Sequence, residues 1–244
     1  MSNNKTAIVT GAGKGIGAAL AKRLAADGFS VIVNYSSSAG EANEVVSAIE
    51  VAGGRAKAVR ADVVDPAQVR SLFDLAEKEF GSVDVLVNNA GILKVAPLAQ
   101  VSDEDFHRQV SVNLTGAFNG MREGARRIRD GGRIISLSTS IIGNYLPAHG
   151  VYVATKAAIE GMTHVLAKEL GPEGILTNVV MPGLTLTEAV RHSMPQAVEQ
   201  AAKVSPIRHV PTSEEVASVV VFVASAANTT INGEVIRVNG GAVA

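Results

Sequence analysis

Short runs of β-branched apolar residues alternate along this chain with longer stretches whose apolar positions recur at helical spacing. Residues 6–10 (Thr-Ala-Ile-Val-Thr) predict a buried strand, and residues 18–26 a helix ending at Asp27-Gly28. Residues 31–33 predict a second strand, followed by a helix over about 40–51 that stops at Gly53-Gly54. Residues 56–60 form a third strand. Pro66 then opens a helix running to Phe80-Gly81, since a first-turn proline forfeits no hydrogen bond. Strands are expected at 83–87, 133–137 and 175–180, with long helical stretches between them. Ser213-Glu214-Glu215 starts a helix that carries the apolar run 216–224, and 234–238 is the last strand.

Strands apolar on both faces and alternating with helices predict an α/β protein, a doubly wound, mostly parallel sheet of seven strands with helices on both faces. No linker, low-complexity tract or internal repeat interrupts the rhythm, so residues 1–244 read as one domain. Residues 184–211, which contain Pro195, Pro206 and Pro211, are the least regular part and read as a substrate-covering loop or helical excursion.

Composition narrows the function classes. Of 244 residues 47% are hydrophobic and 18% charged, enough apolar material for a substantial core. The net charge of -1 gives no basic field for nucleic acid. No cysteine is present, which removes disulfides, thiolate nucleophiles and Cys-ligated zinc. The five histidines lie too far apart in sequence for a local metal-ligand spacing, so no metal is expected. The longest nearly apolar run, 216–227, is too short to cross a bilayer. Residues 1–5 carry no signal-peptide apolar core, and a cytoplasmic protein is expected.

Candidate chemistry begins between the first strand and the first helix, at Thr10-Gly11-Ala12-Gly13-Lys14-Gly15-Ile16-Gly17. Glycines there let the backbone approach a ligand, and the following helix offers free N–H groups to a pyrophosphate. The second strand ends in Asn34-Tyr35-Ser36-Ser37, without the carboxylate that would hold an adenosine 2′-hydroxyl and repel a 2′-phosphate. Asn34 and the serines as donors, with Lys14 as a point charge, favour NADP(H) over NAD(H). Tyr152 and Lys156 stand four apart on a predicted helix and so share a face, where an ammonium would lower the phenol pKa towards a useful range.

Taken in order, these motifs resemble the short-chain dehydrogenase/reductase family, and the resemblance spans the whole chain. Gly11, Gly15, Ile16 and Gly17 look like its cofactor loop, and Asp62-Val63 like its adenine-holding pair. Asn89-Ala90-Gly91, preceded by Asn88, resembles the family turn beside the cofactor, and Asn113 the residue that anchors a proton-relay water. Tyr152 and Lys156 look like the catalytic and ribose-holding pair, and Pro182, Gly183, Thr185 and Thr187 like the nicotinamide-side loop.

The resemblance implies a Rossmann fold and hydride transfer between NADP(H) and a carbonyl or secondary alcohol. Tyr152 would be the proton donor, and a hydroxyl after the fifth strand would orient the oxygen. That hydroxyl is Ser140 by the local Ser-x-x-Gly pattern or Thr139 by counting back from Tyr152; Ser140 is slightly preferred. Small ketones and carrier-protein thioesters are the substrate classes implied. Arg122, Arg126, Arg127, Arg129 and Arg133 read first as cations that favour a helix C-terminus and water; the resemblance offers docking of an acidic carrier as the alternative, from which Pro172-Glu173 departs. Relatives pair the helices around Asn113 and Tyr152 between subunits, which implies a homotetramer. The alternative reading is a catalytically silent dinucleotide-binding sensor or scaffold.

Overall fold

The computed structural model describes residues 5–243. Its seven strands are β1 (Thr6–Val9), β2 (Ser30–Tyr35), β3 (Arg55–Arg60), β4 (Val85–Asn88), β5 (Arg133–Leu137), β6 (Leu176–Pro182) and β7 (Val235–Val238). They form one sheet in the order β3-β2-β1-β4-β5-β6-β7, and every pairing is parallel. The expected "mostly parallel" sheet is therefore wholly parallel. The strand order reverses between β1 and β4, and the crevice beyond that switch point is where such sheets bind ligands.

Alternate residues of each strand feed two cores. On one face Ala7, Val9, Val31, Val33 and Ile135 pack against α1 (Gly15–Ala26), α2 (Ala39–Val51) and α10 (Ser213–Ala224). On the other, Ile8, Ile32, Leu86 and Ile134 pack against α3 (Pro66–Phe80), α5 (Gly116–Arg127) and α7 (Gly150–Glu169). Local signals mark the helix ends. Asp65 caps α3 by accepting from the Ala67 and Gln68 N–H groups, and Gly81 closes it at φ 92°. Thr212 and Glu215 form a reciprocal capping box at the start of α10. The edge strand β3 carries Arg55, Lys57 and Arg60, charges that discourage pairing with another sheet.

Three departures from the sequence pattern matter for the site. First, α1 begins at Gly15, inside the glycine turn and three residues before the apolar helical pattern. Second, the connection from β4 to β5 divides into α4 (Asp103–Gln109), a π-helical turn at Val110–Thr115 and α5. Third, the 184–211 region is mostly helical, with α8 (Glu188–Ser193) and α9 (Pro195–Val204), neither of which buries a residue. A four-residue helix, α6 (Ile141–Asn144), lies between β5 and α7.

Candidate active site

The turn after β1 is built so that only glycine fits at two places. A Cβ on Gly17 would lie 2.4 Å from the Gly11 carbonyl and 2.6 Å from Asn89 Nδ2. Gly11 has φ +62° and would push a Cβ to 2.9 Å from Ala90 Cα. Asn89 Nδ2 donates to the Thr10 and Gly11 carbonyls, while Thr10 Oγ1 accepts from the Asn89 and Ala90 N–H groups. The β1 and β4 turns are thus one hydrogen-bonded unit. The N-terminus of α1 has no side-chain cap and no acid in its first turn, so its N–H groups and positive dipole end suit an anion. Ile16 turns inward onto the core, whereas Lys14 is exposed.

At the end of β2 the structure corrects one expectation. Asn34 is buried, accepts from Gly11 N–H through Oδ1 at 3.2 Å, and donates through Nδ2 to the Ala61 carbonyl at 2.9 Å. Its amide braces the glycine turn against β3 and is not directed at a ligand. Ser36 and Ser37 are exposed, beside the half-buried Tyr35. Arg60, which the sequence reading passed over, pairs in register with Tyr35 and donates Nε to the Ser36 carbonyl at 3.2 Å. It makes no ion pair among the described residues. A cation at the end of the neighbouring strand was the available signal. Beyond β3, Asp62 Oδ1 accepts from Val64 N–H, and Val63 is buried under Gly116.

The second cluster forms where the β4 turn meets the π-helical turn and α7. Asn113 Oδ1 accepts from Ile92 N–H at 2.7 Å, and Nδ2 donates to the Ile92 carbonyl and to Thr155 Oγ1. Its side chain therefore fixes the strand leaving the β4 turn and has no amide hydrogen left over for a water. The position of a Cβ on Gly91 is 3.3 Å from Asn113 Oδ1 and 3.5 Å from Lys156 Nζ, so this glycine lets the β4 turn pack close to both groups. Lys156 is buried and donates to the Leu137 carbonyl at 2.8 Å, with Nζ 5.9 Å from the centre of the Tyr152 ring.

Of the two candidate hydroxyls, that of Thr139 faces the Tyr152 phenol and favours its ionised form. Ser140 Oγ instead accepts from Asn239 Nδ2 at 3.1 Å. The geometry reverses the preference for Ser140. Ser138 is a further step removed, donating to Glu160 Oε1 on α7.

The electrostatics also differ from the sequence expectation. Burial raises the Tyr152 phenol above its ordinary value, with the Thr139 hydroxyl acting in the opposite direction. Burial alone pushes Lys156 down to about 8. In the protein by itself, desolvation is the larger influence on Tyr152 and the Thr139 hydroxyl the smaller, opposing one. What is present at neutral pH is a protonated phenol beside a lysine that titrates within reach of neutrality.

Pro182 ends β6, and the segment after it folds over the glycine turn. Thr185 is buried and donates to the Gly183 carbonyl, while Thr187 caps α8 by accepting from Val190 N–H. A Cβ on Gly15 would meet Thr187 Cγ2 at 3.4 Å, so the start of the lid stands directly against the first turn of α1.

The arginine cluster, by contrast, is largely engaged within the chain. Arg127 is held by Asp74, Glu77 and Glu123, and Arg129 pairs with Asp84. Arg133 is buried against the Gly131, Gly132 and Asn228 carbonyls. Arg127, Arg129 and Arg133 are therefore engaged by groups of the chain itself, as a structural cluster would be. Among the described residues no acidic or histidine cluster could hold a metal, and no helix is long and apolar enough to cross a membrane.

Comparison with known proteins agrees with this geometry. A family model described as enoyl-(acyl carrier protein) reductase matches residues 11–243. A short-chain type dehydrogenase/reductase from Picea abies is 42% identical over 250 residues, covering 98% of this chain and 92% of that protein. NADPH-dependent aldehyde reductase 2, chloroplastic, from Arabidopsis thaliana is 43% identical over 253 residues, covering 97% and 93%. A short-chain dehydrogenase from Burkholderia cenocepacia J2315, solved in complex with NADP, superposes with a TM-score of 0.91 at 38% identity, covering 98% and 97%. With its glycine turn, its switch-point crevice and its Tyr152–Lys156 pair, the chain belongs to the short-chain dehydrogenase/reductase family of oxidoreductases.

Proposed function

We propose that this protein is an NADP(H)-dependent oxidoreductase that interconverts a carbonyl and a secondary alcohol. The observation that carries the reading is the convergence of Thr139, Tyr152 and Lys156 beside Gly91, at the crevice where the sheet order reverses. The crevice would hold NADPH, which when bound would supply the hydride for the carbonyl carbon. The uncapped first turn of α1 would hold the pyrophosphate. Lys14, Ser36, Ser37 and Arg60 would hold the 2′-phosphate, with no carboxylate among them to repel it.

Within this reading the chain's own groups divide the work. The Thr139 hydroxyl orients the carbonyl oxygen. Tyr152 gives its phenolic proton to that oxygen as negative charge develops, and burial keeps the phenol protonated until then. Lys156, near 8, is cationic enough at neutral pH to stabilise the resulting tyrosinate and to help return a proton. Asn113 fixes the backbone at Ile92, and its turn interrupts the regular helical hydrogen-bond ladder, which suits a backbone carbonyl to holding a relay water.

The substrate reading favours small ketones over carrier-protein thioesters, because most of the arginine patch is already paired. The decisive assay follows NADPH absorbance with a panel of small ketones and acetoacetyl thioesters. Turnover by wild type that is lost in Tyr152→Phe supports the reading. Equal rates in the two, on every compound, sink it.

The assembly reading is a homotetramer. An open groove of ≈ 550 Å³ runs between α5 and α7, lined by Phe118, Met121, Met162 and Val165, with Arg122, Arg126 and Glu169 at its borders. A second copy related by a two-fold axis could cover the apolar floor and pair those charges. Sedimentation at micromolar concentration should give a tetramer, and Phe118→Glu should dissociate it; a monomeric wild type overturns the assignment.

A further inference from the structure

The last residues of the chain lie against the catalytic turn. Asn239 follows β7 and is buried, and all three of its strong hydrogen bonds are local to the site. Nδ2 donates to Ser140 Oγ at 3.1 Å and to the Val243 carbonyl at 3.0 Å, and Oδ1 accepts from Gly241 N–H at 3.0 Å. Its Cβ also occupies the space that a side chain on Gly183 would need, 3.0 Å away. Ser140 N–H meanwhile donates to the Pro182 carbonyl. Asn239 therefore joins the turn after β5, the turn after β6 and the terminal segment at one buried point.

That terminal segment continues in two directions. Val243 Cγ1 lies 2.1 Å from where a Cβ on Gly143 would be, so the segment seals the catalytic turn from outside. Gly240, at φ +63°, accepts from Ser205 Oγ and packs on Ile207, and Gly241 packs on Pro206. Residues 205–208 are where α9 returns towards α10, and Arg208 there has φ 56°, a conformation that side chains rarely adopt. The terminal segment is thus a strap between the turn bearing Thr139 and the trailing end of the lid.

We propose that Asn239 is a positioning residue for carbonyl reduction. It acts through Ser140 to hold the Thr139 hydroxyl against Tyr152, and the strap it begins couples that turn to the lid. This rests on the proposed role of Thr139 and Tyr152. It also gives Ser140 a role different from direct contact with the carbonyl.

The test compares Ser140→Ala, Asn239→Ala and the double variant on the fastest-reacting ketone of the panel, with NADPH affinity read by fluorescence titration. Each single change should lower kcat about tenfold, and the double variant should be no worse, because both remove one linkage. NADPH affinity should stay within about twofold of wild type, since no residue of the glycine turn is touched. In Asn239→Asp the carboxylate still accepts from Gly241 N–H and can accept from the Ser140 hydroxyl, reversing the native direction of that bond, but it repels the Val243 carbonyl, so part of the lost turnover should return. Amide hydrogen exchange should accelerate at Gly143 and Arg208 in Asn239→Ala and remain unchanged in α1. Losses that multiply in the double variant, wild-type turnover in Asn239→Ala, or unchanged exchange at Arg208 each overturn the proposal. If Asn239→Ala does not fold, Ser140→Ala and Asn239→Asp carry the same comparison. A wild type inactive on every ketone would defeat the enzyme reading instead, and the exchange measurement would still decide whether Asn239 ties turn to lid.

Discussion

The two halves of the crevice are built on opposite principles. Around the β1 and β4 turns nearly every polar group has an internal partner: Thr10, Asn34 and Asn89 are cross-linked, and Gly11 and Gly17 leave no room for a methyl group. Across the crevice, α8 and α9 bury no residue, and Tyr145, Ala148 and Arg208 sit at positive φ. Few buried apolar contacts mean a low local opening free energy. The glycine-turn half is a preformed mould, suited to the proposed cofactor, while the 184–211 half can adjust around the proposed substrate. Such a division suits a family in which the dinucleotide is constant and the carbonyl compound varies.

The largest expected effect would fall at the point where the halves meet. Tyr152→Phe removes the proposed proton donor and should lower kcat/KM by roughly 10²–10⁴-fold, with NADPH affinity nearly unchanged. Stopped-flow NADPH oxidation and fluorescence titration measure the two quantities, and a parallel loss of affinity would blur the division.

Next comes the rigidity of the mould. Gly17→Ala forces a Cβ into the Gly11 carbonyl and should destabilise the fold by about 1–3 kcal/mol, the usual range for overpacking, and abolish tight NADPH binding. Denaturant melts check it. By contrast Val198→Ala, on α9, should shift stability by less than about 0.5 kcal/mol, as an unburied position does. Similar costs at the two positions would break the comparison.

A pH experiment sharpens it further. Lys156 sits near 8 in the fold and at its ordinary 10.5 when unfolded, so between those values the unfolded chain binds more protons. Stability contributed by this group is present above 10.5 and lost as pH falls towards 8. Tyr152, raised by burial, acts in the other sense, its contribution being lost as pH climbs past 10. The melting temperature should therefore rise from pH 8 towards 10, relative to Lys156→Met, which lacks the rise. Identical profiles would show that Lys156 is better solvated than its burial indicates.

The smallest effect concerns cofactor choice. Lys14→Ala and Arg60→Ala should each weaken NADPH by about 3–10-fold and leave NADH nearly untouched, as expected for an exposed charge meeting a phosphate. Calorimetric titration of both cofactors decides it, and equal weakening would remove the assignment of these cations to the 2′-phosphate.

What could be read along the chain was whatever depends on neighbours in sequence. The alternation of β-branched and helical segments set the parallel α/β fold, and Pro66, Gly81 and the Thr212–Glu215 pair marked helix ends through local hydrogen bonds. The glycine spacing marked a ligand turn, and the spacing of Tyr152 and Lys156 put both on one face of α7. These features repeat at fixed intervals, because backbone geometry alone enforces them.

Folding decided where otherwise equivalent polar side chains were directed. Ser138, Thr139 and Ser140 are consecutive hydroxyls, yet one meets Glu160, one Tyr152 and one Asn239, a partner 99 residues away from Ser140. Asn34 carried the right chemistry for a phosphate but is drawn inward by Gly11 and Ala61, while Arg60, on the next strand, is held at the end of β2 by the Ser36 carbonyl. Tyr152 is raised, not lowered, because burial dominates its surroundings, and burial is a property of the assembled crevice. Spacing along the chain can bring a hydroxyl or an ammonium to the right neighbourhood; its partner and its distance from water depend on residues that only the packed sheet brings near.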